Sequence, residues 1–269
     1  YSEPVNSTIR GSIVLPIKTI TLSNDITYQQ FTKGQQFEYI SADQIDKLNL
    51  NTDLNWRRSN HEARISHQYF GQKDQGATRL SNGTVLYNNA TAIDRSQLTL
   101  THSWKIKETS SVHQTIRKAN YIREYEVKNN DGQTEKIDIT QENNTEYEIL
   151  FNHRLNSITL NGGLEFSKPK YKSDRITGGE QEKDVAGVFN QVAWSLLPSL
   201  EIVSGLRLDK YGGTTVVSPR LALAYKPSGQ WTYRTAYGHG FRAPSFMESL
   251  IDWEHIQFGY TVKGNPNLK

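Results

Sequence analysis

Apolar side chains recur at every second position of this chain, segment after segment, and almost nowhere at the three-to-four spacing of an amphipathic helix. Leu48, Leu50, Leu54 and Trp56 share one parity, while Asn49, Asn51, Asp53 and Asn55 hold the other. Leu98, Leu100, Trp104 and Ile106 alternate in the same way with Thr99, Thr101, Ser103 and Lys105. So do Tyr147, Ile149 and Phe151, then Ile158, Leu160, Leu164 and Phe166, then Leu200, Ile202, Leu206 and Leu208. Successive residues of a strand face opposite sides, so each segment carries one apolar and one polar face. The pattern predicts about eleven strands, at 12–22, 46–56, 61–71, 97–107, 111–127, 140–154, 157–168, 184–196, 200–210, 216–226 and 230–240. Residues 1–45 are less regular: Pro16 interrupts the first strand, and a long external loop is expected over about 23–45.

Composition narrows what such strands build. The 269 residues contain no Cys, which removes disulfide scaffolds, thiolate metal sites and Cys nucleophiles together. No apolar run reaches the roughly 18–20 residues of a membrane helix, and residues 1–30 lack the charged start and apolar stretch of a signal peptide. Mean hydropathy is −0.67, a value typical of soluble proteins. Membrane β-barrels share it, because only every second strand residue meets lipid.

The connections carry further information. Short turns at 57–60, 108–110, 156, 197–199 and 227–229 alternate with longer links at 72–96, 128–139, 169–183 and 211–215. In an up-and-down meander this puts every short turn at one end and every long loop at the other, the asymmetry of outer-membrane barrels. Trp56, Trp104 and Trp194 sit just before short turns, and Trp231 just after one. They are expected at one height, where indole rings favour the membrane–water interface. A large soluble β-sandwich or propeller, with its Trp residues in a core, is the competing reading of the alternation.

Enzymatic signatures are missing: no GxSxG, HExxH or GxxxxGK[ST] occurs, and no catalytic cofactor is expected. The GxGxxA match at 238–243 lacks the helix that a dinucleotide site needs, since Pro244 follows at once. Asn129–Gly132 resembles part of a calcium loop, but Val127 stands where an oxygen ligand is required, which leaves a tight loop tip. Basic residues are scattered along the chain and form no stripe, so no nucleic-acid partner is expected.

Between Val188 and the end, several motifs stand in a familiar order. Gly205-Leu206-Arg207-Leu208-Asp209 precedes Ser218-Pro219-Arg220-Leu221, Tyr225-Lys226-Pro227 and Gly240-Phe241-Arg242-Ala243-Pro244-Ser245. Gly264-Asn265-Pro266-Asn267-Leu268 closes the series. This stretch resembles the middle of the barrel of a TonB-dependent outer-membrane receptor, in which FRAP and NPNL boxes flank one extracellular loop. The resemblance implies an all-β, antiparallel up-and-down transmembrane barrel of 22 strands, of which residues 1–269 are a partial barrel domain. It implies location in the outer membrane of a Gram-negative bacterium, and TonB-driven uptake of a small metal chelate. Partners implied are outer-membrane lipid, a surface lipoprotein in some members, and the TonB complex, reached through a plug domain and TonB box that this sequence lacks. An open half-barrel leaves two unpaired strand edges in lipid, each unsatisfied backbone group costing several kcal/mol, so a larger parent chain is expected.

The ligand is expected at the loop between the two boxes, which holds Met247, Glu248, Leu250, Trp253, Glu254, His255, Phe258 and Tyr260. In haem receptors of this family a His in this loop ligates the iron, and His255 stands where it is expected. A neutral imidazole suits haem iron, with neighbouring aromatics stacked on the porphyrin. Haem is therefore the first expectation for the transported ligand, with cobalamin and ferric siderophores as alternatives. Trp253 and Tyr260 accompany His255 as candidate contacts, with Tyr237, His239 and Arg242 as further ones. A passive porin or adhesin barrel, and a soluble β-rich carbohydrate-binding protein, are the readings from other classes.

Overall fold

The computed structural model describes residues 5–32, 40–255 and 259–268, with side chains for 6–32, 43–255 and 259–268. Twelve strands follow one another in chain order as antiparallel neighbours: β1 (Val5–Ile17), β2 (Ile20–Thr32), β3 (Ile40–Arg58), β4 (His61–Arg79), β5 (Val85–Lys107), β6 (Ser110–Lys128), β7 (Thr134–Leu155), β8 (Ile158–Ser173), β10 (Val185–Leu197), β11 (Leu200–Tyr211), β12 (Thr214–Ser228) and β13 (Trp231–Gly238). The short β9 (Glu180–Glu182) pairs with β8 directly above β10 and makes the sheet 13-stranded. Beyond β13 come one helical turn, α1 (Phe246–Leu250), and a hairpin of β14 (Asp252–His255) and β15 (Tyr260–Lys263).

Register explains why the alternation produces one greasy wall. Leu15, Leu22, Leu54, Ile65, Leu100, Ile116, Tyr147 and Phe166 are successive cross-strand partners from β1 to β8, all on one face. One residue along, Ser23, Asp53, Ser66, Thr99, Arg117, Glu146 and Ser167 form a polar row on the other face. A slip of one residue anywhere would put a polar row into lipid, so the hydrophobic pattern specifies the pairing. Ion pairs tie the polar face together: Arg117 meets Glu146 at 2.6 Å, and Arg207 meets Glu165 at 2.5 Å and Asp209 at 2.8 Å.

The apolar wall has nothing packed on it. Among the described residues the buried hydrophobics are Ala77, Val127, Tyr171, Ile176 and Phe246, and none belongs to the wall. Leu164 is 54% exposed and Leu206 55%. A sandwich or propeller would bury these residues between layers; here they face outward, as a lipid-facing barrel wall requires. On β8 the outward run from Ile158 to Phe166 spans on the order of 20 Å for a tilted strand, close to the apolar height of an outer-membrane barrel. Trp56, Trp104, Trp194 and Trp231 all lie at the short-turn end. The Trp104 ring stacks on His61 at 5.6 Å.

Three expectations are corrected. The strand expected at 12–22 is two strands, β1 and β2, joined by a turn in which Lys18 has φ 53°. The external loop expected over 23–45 is replaced by β2 to Thr32 and β3 from Ile40, with 33–39 outside the described residues. The long link at 72–96 shrinks to a tip at 80–84, because β4 and β5 continue past the apolar band. Above the apolar band, apolar and polar residues no longer keep to separate parities, so hydropathy alternation fades while the backbone ladder continues. The tip at 129–133 forms as expected: the Asn129 side-chain oxygen accepts from the backbone N–H of Asp131 and Gln133, and Gly132 takes φ 77°.

Candidate functional site

At the long-loop end, the strands carry charged and aromatic residues on the face that is polar lower down. Tyr125 on β6 and Asp138 on β7 are cross-strand partners there. Asp138 is 2% exposed, and its carboxylate accepts from Arg175 Nη2 and from the Trp253 indole N–H, both at 2.9 Å. Lys136 Nζ stands 3.8 Å from the same carboxylate and donates to the carbonyl of Glu254 at 2.7 Å. Burial of this acid is possible only because each of its neighbours is a donor or a cation.

Arg175 lies in the connection after β8, which is anchored on both sides. The Thr140 and Ser173 hydroxyls bond each other at 2.9 Å, and Asp174 accepts the N–H of Ile139 at 3.0 Å. The hairpin is stitched to this connection by Thr177 N–H to Leu250 O at 2.9 Å and Asp252 N–H to Arg175 O at 2.8 Å. Beneath it, Phe246 of α1 packs on Tyr171 with ring centres 5.9 Å apart, and Ile176, Met247 and Leu250 complete this small core.

Positive charge dominates the cluster. The Arg175 guanidinium lies 4.3 Å from the Trp253 ring centre and 5.6 Å from that of Tyr125, and Arg123 lies 5.2 Å from Tyr125. Lys136 covers Trp253 at 4.8 Å. Arg123 and Arg175 thus both approach one tyrosine ring, and Arg175 also pairs with Asp138. Burial, and then the neighbouring Arg175, pull the pKa of Arg123 below its ordinary value. The Arg175 Nε is buried and donates to no acceptor among the described residues. Such a donor is costly to leave unmade.

The sequence candidates divide into two groups. Trp253, His255 and Tyr260 come together: His255 meets the edge of Trp253 at 4.7 Å and tilts against Tyr260 at 5.1 Å between ring centres. Burial, then Lys136 and Arg175, lower the His255 pKa and keep the imidazole neutral. Phe258 lies outside the described residues. Tyr237, His239 and Arg242 stand apart from the cluster. Tyr237 is the partner of Leu221 on the outward face and is 71% exposed, and His239 donates its backbone N–H to Pro219 O at 3.0 Å. Among the described residues no three His, Asp or Glu side chains gather as a metal cage.

The two boxes serve the hairpin's frame. Arg242 of Phe241-Arg242-Ala243-Pro244 pairs with Glu248, which also caps α1 by accepting the Ser245 N–H at 2.8 Å. Arg242 foremost, then Ser245, holds the Glu248 carboxyl down at about 2. Tyr211 donates its hydroxyl to Pro244 O at 3.0 Å. Asn265 of Asn265-Pro266-Asn267-Leu268 donates its N–H to Glu248 O at 2.9 Å, so both boxes meet at one residue. A Cβ at Gly264 would stand 2.6 Å from Leu250 N, which is why the second box follows a glycine. Arg123, Tyr125, Lys136, Asp138 and Arg175 carry no motif; the sign that marks Arg123 and Tyr125 is their position on the polar parity of β6.

The model of the TonB-dependent receptor-like β-barrel family matches residues 19–269. The chain belongs to this family. It forms part of the β-barrel of a TonB-dependent receptor, a protein of the Gram-negative outer membrane. The iron-regulated outer membrane virulence protein of Vibrio cholerae serotype O1, El Tor Inaba N16961, is 29% identical over 161 residues, 58% of this chain and 24% of that protein. Its counterpart in the Classical Ogawa 395 strain is 32% identical over 84 residues, covering 30% of this chain and 13% of that protein. The chain therefore spans about a quarter or less of these relatives' length. Among solved structures, the siderophore receptor PirA from Pseudomonas aeruginosa superposes with a TM-score of 0.75 at 13% identity, over 99% of this chain and 47% of that one. The ferric enterobactin receptor PfeA from the same organism gives 0.68 at 12% identity, over 92% and 43%. At such identities these structures bear on the TonB-dependent receptor fold.

Proposed function

We propose that the receptor containing this barrel segment takes up a ferric siderophore across the outer membrane, driven by the TonB complex through a plug domain. One observation carries the choice of ligand: Arg123 and Arg175 both approach Tyr125 at the long-loop end, with Lys136 and Trp253 beside them and Asp138 pairing with Arg175 and Lys136. Ferric chelates of deprotonated oxygen donors are anionic and often aromatic. Guanidinium groups and indole or phenol faces recognise both properties. The names of the Vibrio relatives and of the PirA and PfeA neighbours support iron as the cargo.

The test is quenching of tryptophan fluorescence in the intact receptor by ferric enterobactin, the ligand named for one structural neighbour. Arg123→Ala with Arg175→Ala is expected to weaken binding at least about tenfold, two charge-assisted contacts being lost. Undiminished affinity in a folded double variant would remove the cluster from the account.

Haem is the second reading, and the neutral His255 favours it. An axial ligand must turn its ring nitrogen to iron, whereas His255 packs between Trp253 and Tyr260. A Soret shift on haemin titration that is lost in His255→Ala would establish haem in place of the siderophore.

A further inference from the structure

Charge is divided unevenly between the two ends of the strands. The six short turns, at 17–20, 57–62, 105–110, 154–157, 196–201 and 226–231, hold seven cations: Lys18, Arg57, Arg58, Lys105, Lys107, Arg154 and Lys226. Against them stand Glu62, Glu108 and Glu201, so the turns together carry +4. The whole chain carries +3, which leaves −1 for all its other residues. One step up the strands, Asp53 and Arg64 pair at 2.8 Å and cancel. Short turns of outer-membrane barrels face the periplasm, so this end presents a basic rim to that compartment.

The rim is turned away from lipid. Arg57, Lys105 and Arg154 keep the parity of the polar, lumen-facing row, as the partners of Glu62, Ser111 and Thr159. The outward parity beside them holds His61, His102 and Trp104, joined by Arg58. Between the β3–β4 turn, the β5–β6 turn and the end of β7 lies a hollow of about 730 Å³, lined by Arg57, Lys105, Lys107 and Arg154, with Ser111 and Asn152 as further donors. Its acids are already engaged: Glu62 pairs with Arg57 at 2.9 Å and Glu108 with Lys105 at 2.7 Å. Lys107 and Arg154 have no carboxylate partner among the described residues, and both are exposed. Backbone bonds hold the turns in step: Lys105 N–H donates to Asn60 O, and Arg154 N–H to Thr109 O, both at 2.8 Å.

We propose that this rim docks an acidic segment of a soluble periplasmic protein, whose carboxylates seat on Lys107 and Arg154 within the hollow. A membrane lipid would meet the outward face instead, where imidazole and indole rings stand. A lone small anion gains little from exposed cations, which water and salt screen. Several carboxylates on one chain add their attractions, and the field of the whole rim steers them in. Serine hydroxyl and asparagine amide donors beside the two cations fit carboxylate oxygens. The docking rests on the periplasmic position of the short turns and is independent of which chelate the receptor carries.

Fluorescence anisotropy of a labelled deca-glutamate peptide, titrated with the intact receptor in phosphatidylcholine nanodiscs, tests the proposal. The wild type is expected to bind the peptide, at least about tenfold more weakly at about 300 mM salt than at about 50 mM. A deca-glutamine peptide is expected not to bind. Lys107→Gln combined with Arg154→Gln is expected to weaken binding at least about tenfold, and Lys107→Arg with Arg154→Lys to keep it. No binding by the wild type would show the rim already covered within the receptor and overturn the docking. Binding that survives the double Gln change would overturn the assignment to this hollow, and its loss in Arg123→Ala with Arg175→Ala would place the peptide at the long-loop end. Displacement by inorganic phosphate at the peptide's own concentration would show a simple anion site. Loss of binding in phosphatidylglycerol nanodiscs would show a lipid site, and either result would overturn a protein as the occupant.

Discussion

The indole N–H of Trp253 donates to the buried carboxylate of Asp138 at 2.9 Å, joining residues 115 positions apart. The same carboxylate takes Arg175, so one acid ties the β14–β15 hairpin, the β8–β9 connection and β7 together. Asp138→Ala leaves a guanidinium and an indole N–H without their acceptor. Breaking a buried pair costs about 3–5 kcal/mol, and the loss is expected locally, in the docking of residues 252–263. Amide hydrogen exchange in that segment should accelerate strongly, and less so in Asp138→Asn, whose carbonyl still accepts one bond. Unchanged exchange in both variants would show that the hairpin is held by its backbone stitches alone.

Acid is expected to loosen the same hairpin through His255. Its folded pKa lies below 6.5, from burial first and then from Lys136 and Arg175. The undocked imidazole therefore takes up its proton first as pH falls. Docking is undiminished well above pH 6.5 and weakens below it, stability rising with pH across that window. Exchange rates at 252–255 compared at pH 7.5 and 5.5 check this. In His255→Phe, which keeps the ring stack and removes the proton, the pH dependence of docking should largely disappear.

Gly264→Ala is expected to disturb the second box without touching the barrel. The added methyl would lie 2.6 Å from both Leu250 N and Ser249 C, which are backbone atoms unable to turn aside. Overpacking of this kind costs about 1–3 kcal/mol. Gly213→Ala, where nothing lies within 4 Å, is the control and should be near neutral. Limited proteolysis between the two boxes distinguishes the variants.

Leu164→Lys tests the orientation of the wall. Leu164 pairs with Ile149 and Val188 on the outward face, well inside the apolar band. An ammonium group there costs about 2–4 kcal/mol in a bilayer. Ser66→Lys, on the polar face beside Asp53, should cost far less. Urea unfolding of the intact receptor in phospholipid vesicles measures both, and equal costs would contradict an outward apolar wall.

The wall was legible from residue order because lipid imposes a period of two. Leu98, Leu100 and Trp104 alternate with polar neighbours for a reason that acts on each side chain separately. Ten of the eleven expected strands therefore each match a single observed one, the range 12–22 covering parts of two, and the tryptophans fall at the short-turn end. Where lipid ends, the signal ends too. The upper parts of β4 and β5 mix apolar and polar residues on both parities, and only the hydrogen-bond ladder, a property of neighbouring strands, reveals them as sheet. The turn at Lys18 was missed because Lys18-Thr19 holds none of the Gly, Asn or Asp residues that mark a tight turn.

Membership of the barrel wall and the order of the strands follow from local chemistry, which alternation and motif spacing express directly. The mouth does not. Arg123, Asp138, Arg175 and Trp253 come from four separate elements, and no spacing in the chain links them. Register brings Tyr125 opposite Asp138, and the folded-back hairpin carries Trp253 to the same carboxylate. A buried charge chooses partners by distance in space. Proximity of that kind exists only once the strands have paired and the hairpin has docked.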